Sequence, residues 1–348
     1  MTLPATFQRS GVAAAVLCLV GVAALAWLLQ IELLTITEKL TQEAATKDLE
    51  TPLLANQVKY QWDLPEIVKH ILGPSHWLLY FLMYYLALSS TLTAYANITG
   101  TAMATLFFGC DYTVLPTVEC VQGYQWGLGV YFAVVCCLTI LDYKEQSWLQ
   151  TFMTLLRFGL IIFIVLFAVF RGSTAGLTFK TAVFDSFPHL GVTFSTLIFA
   201  SMYHVCVPSI LYSSDIDSAQ HGNVAKWVAL STAGVYGAMG ITGLLLPGLP
   251  DNISLLFSSE TYGYPADSVP YILQCINSVV ISIPVLDICT NSPIYGQSIS
   301  GIVTTCFYGP RHSKVRSDHP ILYRAIRCLV VVPPVLMAAV SHRLVRSM

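Results

Sequence analysis

Long apolar runs alternate with shorter polar ones along the whole chain, and their lengths predict helices that cross a membrane. About 20 residues at 1.5 Å rise cover a hydrocarbon core of roughly 30 Å. Eight runs reach or approach that length: residues 11–33, 76–100, 124–141, 148–170, 187–212, 227–249, 269–304 and 328–342. Residues 35–74 are the longest polar segment, with Lys39, Lys47, Lys59 and Lys69 balanced by acids, and read as a solvated cytosolic loop with room for a short amphipathic helix. The DYKEQ turn at 142–146 is short enough that the helices on either side must be antiparallel neighbours.

Composition narrows the class. Only 10% of the residues are charged and 55% are hydrophobic, against about a quarter charged in soluble domains. The expectation is an all-α polytopic membrane protein of about eight spans in a single membrane domain, on the plasma membrane or an endomembrane. A competing reading makes Arg9, the apolar core after it and Ala24-Leu25-Ala26 a cleaved secretory signal. The apolar stretch continues past Ala26 to Leu34, which favours a retained span.

Charge sets an orientation. With residues 35–74 in the cytosol and sides alternating, the cytosolic loops carry eleven Lys and Arg and the opposite side five, as the positive-inside rule prefers. Cys110 and Cys120 then face the oxidising side, where a disulfide can form. Asn252, in the sequon Asn252-Ile-Ser254, falls there too and is a candidate glycosylation site.

The central run, Phe187 to Tyr212, is poorly suited to lipid. Thr193, Thr196, Ala200 and His204 recur at spacings of three and four, which stacks small and polar groups on one helical face. Pro208 has no N–H and frees the carbonyl of His204, and such a carbonyl is tolerated at membrane depth only inside protein or beside a wet cavity. Two readings stand: a broken helix at a binding site, or a kinked structural helix whose histidine bonds a neighbour.

The run 269–304 is long for one crossing. Pro284 and Pro293 free the carbonyls of Val280 and Cys289, and Asp287, Thr290 and Asn291 share one face. A carboxylate at a helix centre costs on the order of 3 kcal/mol on insertion scales, so it is a functional candidate by default; the alternative is a span that ends near Asp287 at the aqueous boundary. In the run 76–100, Tyr85, Ser89, Thr93 and Asn97 are each four apart, a ridge for a cavity wall or an interhelical contact. Gly234, Gly237, Gly240 and Gly243 are three apart and invite another helix to approach. Arg157 reads as snorkelling to the headgroups or pairing within the bundle.

Several chemistries lack their residues. No CxxC or cysteine–histidine spacing for zinc occurs, no Walker sequence, no HExxH and no nucleophile–base pair, so neither an enzyme nor a resident cofactor or metal is expected. No Lys/Arg run points to nucleic acid.

Five blocks in order carry a resemblance: YLALSSTLTAYA (85–96), WLQTFMTLLRFG (148–159), GVTFSTLIFASMYHVCVPSI (191–210), IPVLDICTNSPI (283–294) and LVVVPPVLMAAVSH (329–342). Together they resemble successive spans of the amino acid/auxin permease family. The resemblance implies a partial LeuT-like inverted-repeat fold, with a midplane site between two broken helices. It numbers Met1–Phe7 as the tail of the first span, 11–33 as the second, 187–212 as the sixth, 269–304 as the eighth and 328–340 as the ninth. By that numbering the glycine-rich part of the first span and the last two spans fall outside these 348 residues, which alone are then not expected to transport. The implied function is ion-coupled transport of an amino acid. Thr196, Ala200, Tyr203 and His204, with Ser89 and Thr93, would line the substrate, and Pro208, Pro284 and Pro293 would mark the helix breaks. Asp287, Thr290 and Asn291 would serve a coupling Na+ or H+; many family members carry a hydroxyl where this chain has Asp287, and an acid favours the proton. The alternative is a non-transporting sensor or scaffold; a seven-helix receptor suits the spans and prolines less well.

Overall fold

The computed structural model describes residues 3–49, 64–110, 117–175, 187–201, 218–245, 270–308 and 318–347. Its described elements are helices: α1 (Leu3–Ser10), α2 (Val12–Leu49), α3 (Leu64–Phe108), α4 (Val118–Ile140), α5 (Tyr143–Ala175), α6 (Phe187–Ala200), α7 (Ser218–Leu245), α8 (Tyr271–Tyr308), α9 (Pro320–Leu329) and α10 (Val332–Ser347). Six stretches among the described residues are long and apolar enough to cross a bilayer: Val12–Leu40, His76–Phe108, Val118–Ile140, Glu145–Phe170, Tyr271–Tyr308 and Pro320–Ser341. That set is compatible with an integral, multi-pass membrane protein. Of the other two expected spans, the run 187–212 is helical from Phe187 to Ala200 and lies outside the described residues after Ser201, and the run 227–249 lies largely in α7.

Several boundaries differ from the sequence expectation. The loop placed at 35–74 is largely helix: α2 continues to Leu49 and α3 begins at Leu64. The reason is local, because Glu38, Lys39, Gln42, Glu43, Ala44, Ala45 and Lys47 are straight-chain residues or alanine, with high helix propensity and no glycine or proline among them. Gly73, at φ +73° and ψ 177°, kinks α3 just before the apolar run, a backbone state that glycine adopts without a Cβ penalty. The expected five-residue turn shrinks to Leu141 and Asp142. There the Asp142 amide donates to Glu145 Oε2 at 2.9 Å, and a carboxylate reaching back this way starts α5. The last apolar run extends back to Pro320, at the first turn of α9, and is divided at Val330 and Val331. Pro333 and Pro334 supply no N–H to a preceding turn and are tolerated only in the first turn of a new helix, so α10 starts afresh at Val332.

The helices gather into two compact units. One holds α1, α2 up to Glu43, α5 from Leu155, α6, α7 and α8 up to Ile281; the other holds α3, α4, α5 up to Thr154, α8 from Ser282, α9 and α10. In the first, α1 packs against α6 and α7. In the second, α3 and α4 form the main seam, with α10 against both and α9 against α4. The α3–α4 seam is close because two glycines meet: a Cβ on Gly127 would stand 2.8 Å from the Gly100 Cα, and one on Gly100 would stand 2.6 Å from the Tyr124 ring. A disulfide between Cys110 and Cys120 ties the two helices at the end of that seam.

Candidate functional site

The first unit brings three helices to one joint. α1 is only eight residues long and ends at Gly11, whose φ of +88° turns the chain into α2. Phe7 on α1 is fully buried, and its ring occupies the place a Cβ would take on Gly240 of α7. The expected glycine stripe is thus used in part: Gly240 admits Phe7, a Cβ on Gly237 would touch Leu19 of α2 at 3.4 Å, and one on Gly234 would meet nothing within 4 Å among the described residues. The Thr6 carbonyl accepts from Ser10 Oγ at 2.8 Å and from Thr193 Oγ1 of α6 at 3.2 Å. Thr193, at the start of the polar face read from the sequence, is therefore buried against α1.

Along the same face, Thr196 is half-buried and its hydroxyl donates to the Val192 carbonyl at 2.8 Å. Ala200 ends α6, with Ser201 in a turn, so the helix stops four residues before His204. The last carbonyls of a helix have no partner within it; that of Ala200 accepts from the Tyr236 hydroxyl of α7 at 3.1 Å. Tyr203, His204 and Pro208 lie outside the described residues, as does Asn252.

The second unit holds the ridge on α3. Ser89 is buried, and its Oγ has no hydrogen-bond partner among the described residues. Thr93 Oγ1 reaches the Ser89 carbonyl at 2.8 Å and the Pro334 carbonyl of α10 at 3.3 Å. Asn97 Oδ1 accepts from the Tyr124 hydroxyl of α4, which also approaches the Ala338 carbonyl at 3.1 Å. Tyr85 stacks on Phe81 one turn earlier. From Thr93 onward the ridge is an interhelical contact among α3, α4 and α10.

Asp287 lies about midway along α8, which runs unbroken from Tyr271 to Tyr308 with both prolines inside it. The helix does not end at Asp287. Asp287 and Asn291 are half-buried and Thr290 is buried. Thr290 Oγ1 donates to the Asp287 carbonyl at 2.9 Å, and its own carbonyl accepts from Gln150 Nε2 of α5. One turn on, Ser292 Oγ donates to the Ile288 carbonyl at 2.7 Å, which leaves the fully buried Tyr131 hydroxyl of α4 to donate to Ser292 Oγ at 2.8 Å. Among the described residues no group of three or more His, Cys, Asp and Glu could hold a metal ion.

One polar cluster was not anticipated. The last four carbonyls of the α4 end are all satisfied by side chains. Gln146 Nε2 serves Leu138 at 2.7 Å and Leu141 at 2.9 Å, Gln297 Nε2 also serves Leu141, and Arg327 Nη1 serves Thr139 at 3.4 Å and Ile140 at 3.2 Å. In the sequence Arg327 is one of five basic residues before the last span; nothing local marks it as buried. Its period on α9 is the available signal, since Tyr323 and Arg327 are four apart and the Arg327 guanidinium lies 4.5 Å from the Tyr323 ring centroid.

No family model, no curated protein and no solved structure matches the chain.

Proposed function

We propose that the protein is an ion-coupled secondary carrier of amino acids, with eight spans in a LeuT-like inverted-repeat arrangement. The observation that carries the reading is which helices pack together. In the numbering implied by the resemblance, the first unit holds spans one, two, six and seven with most of span five and the start of span eight, and the second holds three, four and nine with the rest of five and of eight. Spans five apart occupy equivalent places in the two inverted repeats of this fold. One with six, two with seven, three with most of eight, and four with nine thus fall together, a grouping that comes from packing. Alternating access in such carriers is a rigid-body movement of one bundle against another, which needs units of this kind.

In this reading the substrate lies where α6 stops, with Thr196, Ala200, Tyr203 and His204 beside it. The coupling cation or proton lies at Asp287, Thr290 and Asn291. A helix end at Ala200 and a carboxylate midway along α8 are two features that lipid-facing helices would not keep.

The test is uptake of a pool of radiolabelled proteinogenic amino acids into proteoliposomes carrying the purified protein with its native ends, under an imposed sodium or proton gradient. Gradient-dependent accumulation supports the carrier. A sensor or scaffold of the same fold draws support from Thr93, an expected substrate residue whose hydroxyl is spent on two backbone carbonyls. Thermal stabilisation by an amino acid without accumulation would select that second reading, and neither effect would discard both.

A further inference from the structure

We infer that Cys136 of α4 and Cys328 of α9 are a redox modification site, a dithiol that hydrogen peroxide converts to a disulfide pinning the junction of α9 and α10 to α4. The inference is independent of the carrier reading.

The pair is prepared by reciprocal contact. α9 packs against α4 within the second unit. Where they meet, Cys136 Sγ donates to the Cys328 carbonyl at 3.9 Å and Cys328 Sγ donates to the Cys136 carbonyl at 3.8 Å. The two thiols also contact each other. A thiol is a weak donor, so these bonds align the sulfurs and cost little to break. Both cysteines are half-buried, which suits a small, uncharged oxidant, whereas the adjacent Cys137 is exposed and points to another face of α4. Among the described residues no group of three or more His, Cys, Asp and Glu could hold a metal ion, so the pair reads as redox chemistry.

Position makes the bond a conditional one. Cys136 lies about 24 Å along α4 from Cys120 at 1.5 Å per residue, most of the way through a hydrocarbon core of roughly 30 Å. Cys120 is joined to Cys110, and disulfides persist on the oxidising side of a membrane. With α4 crossing the bilayer, the Cys136 end then faces the reducing side, the orientation that the Lys and Arg count also favours. A dithiol there stays reduced at rest and is oxidised when peroxide arrives.

The chemistry balances with that oxidant. One thiolate attacks the peroxide, breaks its O–O bond and becomes a sulfenic acid, releasing water once the departing hydroxide is protonated. The second thiol attacks the sulfenic sulfur, the S–S bond forms, and the oxygen leaves as a second water. Two electrons pass from the dithiol to the peroxide. The consequence falls on the end of α9. The Cys328 carbonyl accepts from the Val331 amide at 3.1 Å, just before α10 starts at Val332. In the reduced protein that junction is held to α4 by packing and by Arg327 on the Thr139 and Ile140 carbonyls; the disulfide makes the attachment covalent.

Membranes carrying the full chain are treated with hydrogen peroxide, free thiols are trapped with N-ethylmaleimide, and the purified protein is digested with pepsin and mapped by mass spectrometry. The expected product is a peptide cross-linked through Cys136 and Cys328, absent before peroxide and lost again in dithiothreitol. Oxidation is expected to slow amide exchange over residues 328–332 about 10-fold and to raise the thermal midpoint by about 5 °C. Neither change should occur in Cys136→Ser, and both should persist in Cys137→Ser. Thiols that stay open to alkylation after peroxide, or that end as sulfinic acids without the cross-link, overturn the inference. So does a cross-link through Cys137, or one complete before peroxide is added, which would make the bond structural. A cross-link that leaves exchange at 328–332 unchanged overturns the pinning. The deciding peptide is read in the wild type, so poor folding of Cys136→Ser does not remove the test.

Discussion

Arg327 Nη2 donates to Asp142 Oδ1 at 3.0 Å, and the two ends of this ion pair have different surroundings: the arginine side chain is 5% exposed and the aspartate 46%. Arg327 Nη1 faces the carbonyls that close α4. The pair is therefore a helix cap as much as a salt bridge, and its two members should not be equally important.

Arg327→Leu leaves the Thr139 and Ile140 carbonyls without a donor and is expected to cost about 1 to 3 kcal/mol, as for buried acceptors left unsatisfied. Asp142→Asn removes a half-exposed charge and should cost about 1 kcal/mol or less. Thermal unfolding of both variants in the same detergent checks the order. Equal losses would mean that the ion pair, and not the cap, carries the stability.

The glycine seam between α3 and α4 makes a second prediction. At Gly127 a methyl group would meet the Gly100 Cα at 2.8 Å and the Met103 Cβ at 2.9 Å, so backbone must move. Gly127→Ala is expected to cost about 1 to 3 kcal/mol through overpacking. Two residues further on, a Cβ on Gly129 would meet nothing within 4 Å among the described residues. Gly129→Ala should be neutral or stabilising by up to about 1 kcal/mol through helix propensity. A thermal shift of the same sign in both would refute the close approach.

Cys110 and Cys120 are joined across a short loop, with Thr117 Oγ1 accepting from the Cys120 amide at 3.3 Å to start α4. Closing a loop of that size is expected to contribute about 2 to 3 kcal/mol. Cys120→Ser should lower the unfolding midpoint, and a reducing agent should lower that of the wild type but not of the variant. A midpoint insensitive to reduction would show that the α3–α4 seam holds without the bond.

Asp287 bears on the coupling ion. On the carrier reading, Asp287→Asn is expected to abolish the pH dependence of uptake while amino acid binding, followed by thermal shift, is retained. If uptake by the variant follows the same pH profile as the wild type, the proton is not handled there.

Much of this architecture was readable beforehand because the bilayer leaves few choices. A backbone in hydrocarbon must satisfy its own polar groups, so a long apolar run is a helix. The same reasoning misplaced helix ends wherever the membrane no longer enforces them. α2 runs on through Glu38, Lys39 and Glu43 because those residues favour helix in water as well, and α9 begins at Pro320 because a proline suits a first turn. The face of Thr193, Thr196 and Ala200 was legible from its spacing. That Thr193 bonds α1 and that the Ala200 carbonyl has a donor on α7 was not.

What the sequence by itself determined is the helical class, the approximate position of the six described helices long and apolar enough to cross a bilayer, and the polar positions along them, since each follows from the local cost of exposing a group to hydrocarbon. Which polar group meets which was decided only by the tertiary structure. Tyr236 and Ala200 are 36 positions apart, Tyr131 and Ser292 161, and Arg327 and Asp142 185. Each of these groups had several chemically adequate partners in the chain. The choice among them depends on helix crossings, and those were set by close approaches such as Gly100 on Gly127 and Phe7 on Gly240, where the absence of a side chain let one helix settle against another.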